Sequence, residues 1–166
     1  MKTFQIGVIS DTHYPSLESK FPLDKIKEHF SGTDLIIHAG DLVSLLVIDM
    51  LGKISKVEAV CGNMDFPEVA VSLPKTKVLN INGLNIGIIH GFGPPFGFPK
   101  KLFPSFKEKI DILIFGHTHE PFNKIVNGVL CFNPGSPTRS FLSNQQTIGL
   151  ISFSTLDDLK AKIIFL

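Results

Sequence analysis

With 166 residues, 43% of them hydrophobic and 19% charged, the chain can bury a substantial core and is too apolar to be disordered. A net charge of +1 provides neither the basic stripe that a long polynucleotide requires nor an acidic tail. With no leader-like start, no apolar run near about 18 residues and only Cys61 and Cys131 as thiols, the expectation is a single domain over 1–166 in the cytoplasm, away from membranes.

Taken in order, Phe4–Ile9 reads as a strand that runs into Ser10-Asp11-Thr12-His13. Leu23, Ile26 and Phe30 share one helical face, and Ser31-Gly32 stops that helix. Residues 34–39 form the next strand candidate, ending in Gly40-Asp41. Leu42–Leu51 is apolar on nearly every side, which predicts a helix packed deep between layers. A third short strand, Val57–Val60, leads into Cys61-Gly62-Asn63-Met64-Asp65, after which Pro67 and Pro74 interrupt regular structure.

Asn82-Gly83 and Asn127-Gly128 each stand between apolar runs, a hairpin signal because both turn residues must take positive φ. The second arm of the first hairpin ends in His90-Gly91. A short helix is expected over Phe103–Lys109, then the buried strand 111–115 and Gly116-His117-Thr118-His119. The second hairpin runs into Asn133-Pro134-Gly135-Ser136, and Ile148–Phe153 with Ala161–Phe165 closes the chain as a last pair of strands. Strand–helix alternation followed by hairpins predicts helices outside two packed sheets.

Five strand ends therefore carry metal-competent side chains: Asp11 with His13, then Asp41, Asn63, His90, and His117 with His119. If strand geometry continued through them, the period of two would put Asp11 and His13 on one side, and likewise His117 and His119. Loops beyond the carboxyl ends of parallel strands converge, so these residues are expected to meet. Four imidazoles, two carboxylates and one amide exceed the needs of one ion and suit two. Two cations about 3.5–4 Å apart can clamp a phosphoryl group and generate hydroxide near neutral pH, which points to phosphate ester hydrolysis.

The order D-x-H, G-D, G-N, H-G, G-H-x-H resembles the calcineurin-like metallophosphoesterases over nearly the whole chain. The short length and the closing N-P-G-S resemble their small prokaryotic phosphodiesterase branch, whose fold the retromer scaffold subunit shares. The resemblance implies an α/β (α+β) fold, a four-layer α-β-β-α sandwich of two mixed β-sheets flanked by helices. It also implies two divalent cations, manganese first and Fe, Ni, Co or Zn as alternatives. Asp11, His13 and His119 would hold one and Asn63, His90 and His117 the other, with Asp41 bridging both and a hydroxide between the cations attacking a small phosphodiester. Asp11, His13, Asp41, Asn63 and His90 would carry the catalysis.

Many relatives carry a His directly after the Asn, where this chain has Met64, which cannot donate a proton. The expectation is a preference for diesters or activated esters over alkyl monoesters, with Asp65 hydrogen-bonded within its turn. Asn63, Ser136 and Arg139, the only arginine, are candidate substrate contacts. Asn133-Pro134-Gly135-Ser136 is read equally as a plain turn and as a loop that orients ligands. His38 is either a hydrogen-bonding neighbour of the site or a plain buried residue. The loop 91–104, with Phe92, Phe96, Phe98 and Phe103, is read as a homodimer or higher homo-oligomer contact before a pocket wall. The alternative to an enzyme is a non-catalytic metal-binding scaffold or protein-interaction module of the same fold; all seven ligand positions keep metal-competent residues, which favours the enzyme.

Overall fold

A computed structural model describes residues 2–15, 20–138 and 145–166 of the chain. Arg139 lies outside the described residues. Among the described residues, ten strands form two mixed five-stranded sheets. The first sheet contains β1 (Phe4–Ile9), β2 (Leu35–His38), β3 (Val57–Ala59), β9 (Thr147–Phe153) and β10 (Lys160–Phe165), in the order β10-β9-β1-β2-β3. The second contains β4 (Thr76–Ile81), β5 (Leu84–Ile89), β6 (Ile112–Ile114), β7 (Phe122–Val126) and β8 (Val129–Asn133), in the order β4-β5-β6-β8-β7. The neighbours β1, β2 and β3 run parallel, as do β5, β6 and β8, so each sheet presents three carboxyl ends.

Alternation along the strands sorts the side chains between layers. Ile6, Val8, Leu35 and Ile37 of one sheet meet Ile86, Ile88, Ile112, Ile114 and Phe132 of the other in the central core. Ile9 and Ile36 point the opposite way and are covered by α1 (Leu23–Phe30), α2 (Leu46–Gly52) and α3 (Pro67–Ser72) through Ile26, Phe30, Val47, Leu51 and Val69. Phe30 lies flat on β1, where a Cβ at Gly7 would stand 2.8 Å from its ring. Leu113, Phe115 and Cys131, on the far face of the second sheet, pack under Leu102, Phe98 and Phe106.

The expected four layers are present, with three local differences. The last layer is a 3₁₀ helix over Lys100–Ser105 with its flanking loop, in place of an α-helix over 103–109. Pro104 has no N–H to offer a longer helix there. Helix α2 starts four residues later than periodicity predicts, because Asp41 (φ 55°) and Val43 (φ 76°) adopt left-handed backbone in the loop after β2. It lies on the outside with Val47 and Leu51 inward and Leu46 46% exposed, and is not enclosed between layers. Pro67 begins α3, since the first helical position needs no N–H donor. Both hairpins form as expected, with φ of 51° and 83° at Asn82-Gly83 and 54° and 77° at Asn127-Gly128. Among the described residues, no helix is long and apolar enough to cross a membrane.

Candidate metal centre

The carboxyl ends of the six parallel strands meet at one rim between the sheets. Extended geometry does not continue into the loops. Asp11 (φ 52°), His13 (43°), Asp41 (55°), His117 (73°) and His119 (58°) all take left-handed backbone. That conformation costs a non-glycine residue about 1–2 kcal/mol, so the surrounding hydrogen bonds must hold it. The expectation that period two aligns Asp11 with His13, and His117 with His119, is thus corrected: sharp turns, and not strand pleat, set where these side chains point.

Backbone bonds across the rim supply the restraint. Asp11 N–H donates to Gly40 O at 3.0 Å, His13 N–H to Asp41 O at 3.0 Å and Gly116 N–H to His90 O at 3.0 Å. His117 N–H points at the Asp11 carboxylate, 3.2 and 3.1 Å from its two oxygens. The glycines beside the ligands are required by close approach. A Cβ at Gly62 would stand 2.1 Å from Asp41 Oδ1, and one at Gly116 would stand 2.7 Å from Asp11 Oδ2.

Two clusters result, one of Asp11, His13 and His119 and one of Asp11, Asp41 and His90. In the first, His13 Nε2 and His119 Nε2 are 3.2 Å apart, and His119 Nε2 is 3.3 Å from Asp11 Oδ1. Two nitrogens each about 2.1 Å from a shared cation would stand about 3.0–3.4 Å apart. Asp41 Oδ2 lies 3.1 Å from His90 Nε2 and 3.8 Å from His13 Nε2, so this carboxylate reaches both halves. Asn63 and His117 extend the second half, with His117 Nδ1 3.0 Å from Asn63 Oδ1.

The protonation pattern fits cations. His90 Nδ1 donates to Ala39 O at 2.8 Å, and its buried Nε2 faces the Asp41 carboxylate at 3.1 Å. His117 mirrors this, with Nε2 donating to Gly93 O at 2.8 Å and Nδ1 facing the Asn63 amide oxygen. A neutral imidazole has one N–H, so His117 turns a lone pair towards another acceptor, while His90 satisfies both of its acceptors only as an imidazolium; a cation would relieve the first and replace the extra proton of the second. Burial opposes a charge on His90, but the Asp41 and Asp11 carboxylates outweigh it and push its pKa up to about 9. Burial likewise raises the Asp11 and Asp41 carboxyls, yet His119 and His90 respectively bring them below the usual carboxylate range.

Several site residues act through the ligands. Ser136 is fully buried, and its hydroxyl donates to Asp11 O at 2.7 Å. This buries the hydroxyl on the Asp11 backbone, at odds with the expected contact with substrate. In sequence, Asn133 reads as part of the Ser136 loop, with no role of its own. It ends β8, and its amide donates to Gly116 O at 2.9 Å and Thr118 Oγ1 at 3.0 Å, bracing the GHTH turn. The strand-end rule that found the ligands extends to this sixth parallel strand. Phe98 stacks on the His117 ring with centroids 5.9 Å apart and planes at 17°. Asp65 bonds within its turn, at 2.7 Å to Gly62 N, and also reaches Val43 N at 2.5 Å.

His38 is fully buried next to the site, with Nδ1 accepting from Gly40 N–H at 3.2 Å and Nε2 paired with Thr12 Oγ1 at 3.1 Å. Burial outweighs the nearby carboxylates and lowers its pKa to about 3. The folded protein keeps this ring neutral while the unfolded chain protonates it, so its contribution is present above about pH 6.5 and is lost as pH falls towards 3. Between pH 7.5 and 5.5 the wild type is expected to lose about 1.4 kcal/mol relative to His38→Gln. Denaturant midpoints of both proteins at the two pH values measure this, and parallel pH dependences would refute it.

Residues 4–156 match the calcineurin-like phosphoesterase superfamily domain. The chain belongs to this superfamily. A probable metallophosphoesterase of Methanocaldococcus jannaschii is 42% identical over 165 residues, covering 98% of this chain and 81% of that protein. A phosphodiesterase of the same organism is 28% identical over 162 residues, covering 89% of this chain and 92% of its own length. Among solved structures, Vps29 of Entamoeba histolytica complexed with Zn2+ superposes with a TM-score of 0.77 at 27% identity, covering 98% of this chain and 99% of that one. Calcineurin-like phosphoesterases are divalent-metal-dependent hydrolases of phosphoester bonds, and the donor set at this rim suits such ions.

Proposed function

We propose that this chain is a phosphodiesterase acting on small diesters with two divalent cations. Asp11, His13 and His119 would hold one cation and Asn63, His90 and His117 the other, with Asp41 shared. The observation that carries the reading is the buried His90 Nε2 held 3.1 Å from Asp41 Oδ2, beside the His13–His119 pair at 3.2 Å. When bound, such cations lower the pKa of a water and polarise phosphoryl oxygens. Mixed imidazole, carboxylate and amide donors make manganese the first choice, ahead of Fe, Ni, Co or Zn.

The chain's own groups keep this centre rigid. Ala39 O and Gly93 O fix the tautomers of His90 and His117, and Ser136 holds the Asp11 backbone. Met64 offers no proton to a leaving oxygen, which favours diesters whose leaving alcohols are already acidic. A non-catalytic scaffold is the second reading, favoured by the likeness to a zinc-complexed Vps29.

Metal analysis followed by turnover of bis(p-nitrophenyl) phosphate and p-nitrophenyl phosphate under Mn, Fe, Ni, Co and Zn tests the assignment. Higher kcat/KM for the diester is expected. A monoester preference would overturn the diester reading, and two bound metals without turnover would support the scaffold.

A further inference from the structure

Two cavities of similar size adjoin the row formed by Asn63, His90 and His117, and their chemistry differs. One, of about 510 Å³, is bounded by Asn63, His90, Ile89, Phe92, Lys75 and Thr76. The other, of about 500 Å³, is bounded by His117, Phe98 and Glu120 among its lining residues. Either volume accommodates an aryl- or nucleoside-sized group.

Charge decides between them. Lys75 is exposed immediately before β4, and its ammonium makes no hydrogen bond or ion pair among the described residues. Glu120 is the charged residue of the second cavity, and it would repel an anionic group. Phe92, 53% exposed on the wall of the same cavity with the Lys101 ammonium 5.8 Å from its ring centroid, offers a planar group an aromatic face. A phosphoryl group held at Asn63 and His90 would direct one of its ester arms into the cavity that these same two residues help to line.

We propose that the Lys75–Phe92 cavity is the specificity pocket for one arm of the diester, and that it selects an aromatic arm bearing a negative charge such as a carboxylate or a further phosphate. The proposal rests on the phosphodiesterase reading. The apolar walls reward the ring, and the unpaired ammonium rewards the anion.

Three p-nitrophenyl phosphodiesters with the same leaving group and a methyl, phenyl or 4-carboxyphenyl second arm test it on the metal-loaded full chain. The expected kcat/KM rises about tenfold from methyl to phenyl, and about fivefold more for 4-carboxyphenyl at low ionic strength. Lys75→Ala is expected to erase the carboxylate step, and Phe92→Ala to shrink the aryl step. The proposal is overturned if the carboxylate brings no gain, or if Lys75→Ala leaves the ratio of carboxyphenyl to phenyl unchanged. It is equally overturned if Glu120→Gln raises that ratio while Lys75→Ala leaves it unchanged, because the arm then lies in the other cavity. If none of the three diesters turns over, the phosphodiesterase reading fails, and binding decides the pocket separately. The 4-carboxyphenyl and phenyl esters of methylphosphonic acid should then bind the metal-loaded protein with affinities that differ about fivefold and converge in Lys75→Ala; equal wild-type affinities overturn the pocket.

Discussion

Replacing Asp41 with Asn is expected to lower kcat/KM for a phosphodiester about 10³-fold, equivalent to about 4 kcal/mol of transition-state stabilisation. The substitution keeps the shape of the side chain and the acceptor for Met64 N–H, which lies 2.8 Å from Oδ1. It removes the charge that stands 3.1 Å from His90 Nε2 and 3.8 Å from His13 Nε2. Cations on both sides would lose a shared anion, so metal content should fall below two per chain alongside the rate. Elemental analysis and kinetics on the same preparation make the check. Two retained metals together with a rate within tenfold of wild type would show that Asp41 is not the bridge.

The metal-free protein should also respond. His90 is raised to about 9 by its carboxylate neighbours after burial has opposed it, so its contribution to stability is full below about pH 6.5 and is lost as pH rises through 9. Asp41→Asn removes one of those neighbours, so metal-free Asp41→Asn should show a weaker loss of stability from pH 6.5 to 9 than metal-free wild type.

Met64→His is expected to raise turnover of alkyl phosphate monoesters by about 10²–10⁴, the usual contribution of a positioned general acid. The backbone of residue 64 is already fixed at the site by its bond to Asp41, while its side chain is 58% exposed. An imidazole there can therefore reach a leaving oxygen without repacking the core. Activated aryl diesters should gain far less, because their leaving groups need little protonation. Met64→Gln, similar in length but without an acidic proton, serves as the control. Equal gains for His and Gln would mean that polarity, and not proton donation, matters at this position.

The seven candidate ligands were legible because the relevant signals are local in sequence. A strand followed by a small residue and then Asp, Asn or His is a short pattern, and its repetition at five strand ends is visible without coordinates. The two Asn-Gly hairpins were legible for the same reason, since their positive φ values are demanded by the turn itself. Residue types and their order along the chain thus determined the donor set, the two-sheet plan and the chemistry to which the donors are suited.

How those residues meet was decided only by tertiary structure. No local propensity asks Asp11, His13, Asp41, His117 and His119 to adopt left-handed backbone. They hold it because bonds from remote segments outweigh the cost, such as Ser136 on Asp11 O across 125 positions of chain and His90 on Ala39 O across 51. The same remoteness explains why Ser136 reads as a substrate contact in sequence and proves to be a buried brace. It also explains why Asn133 had no separate role in sequence, and why α2 lies outside rather than between layers. The cavity beside Lys75 was legible only as the pocket-wall reading of Phe92's loop, because its other walls come from the segment after β3, the start of β4 with the residue before it, the end of β5 and Ser105, brought together only when the two sheets pack.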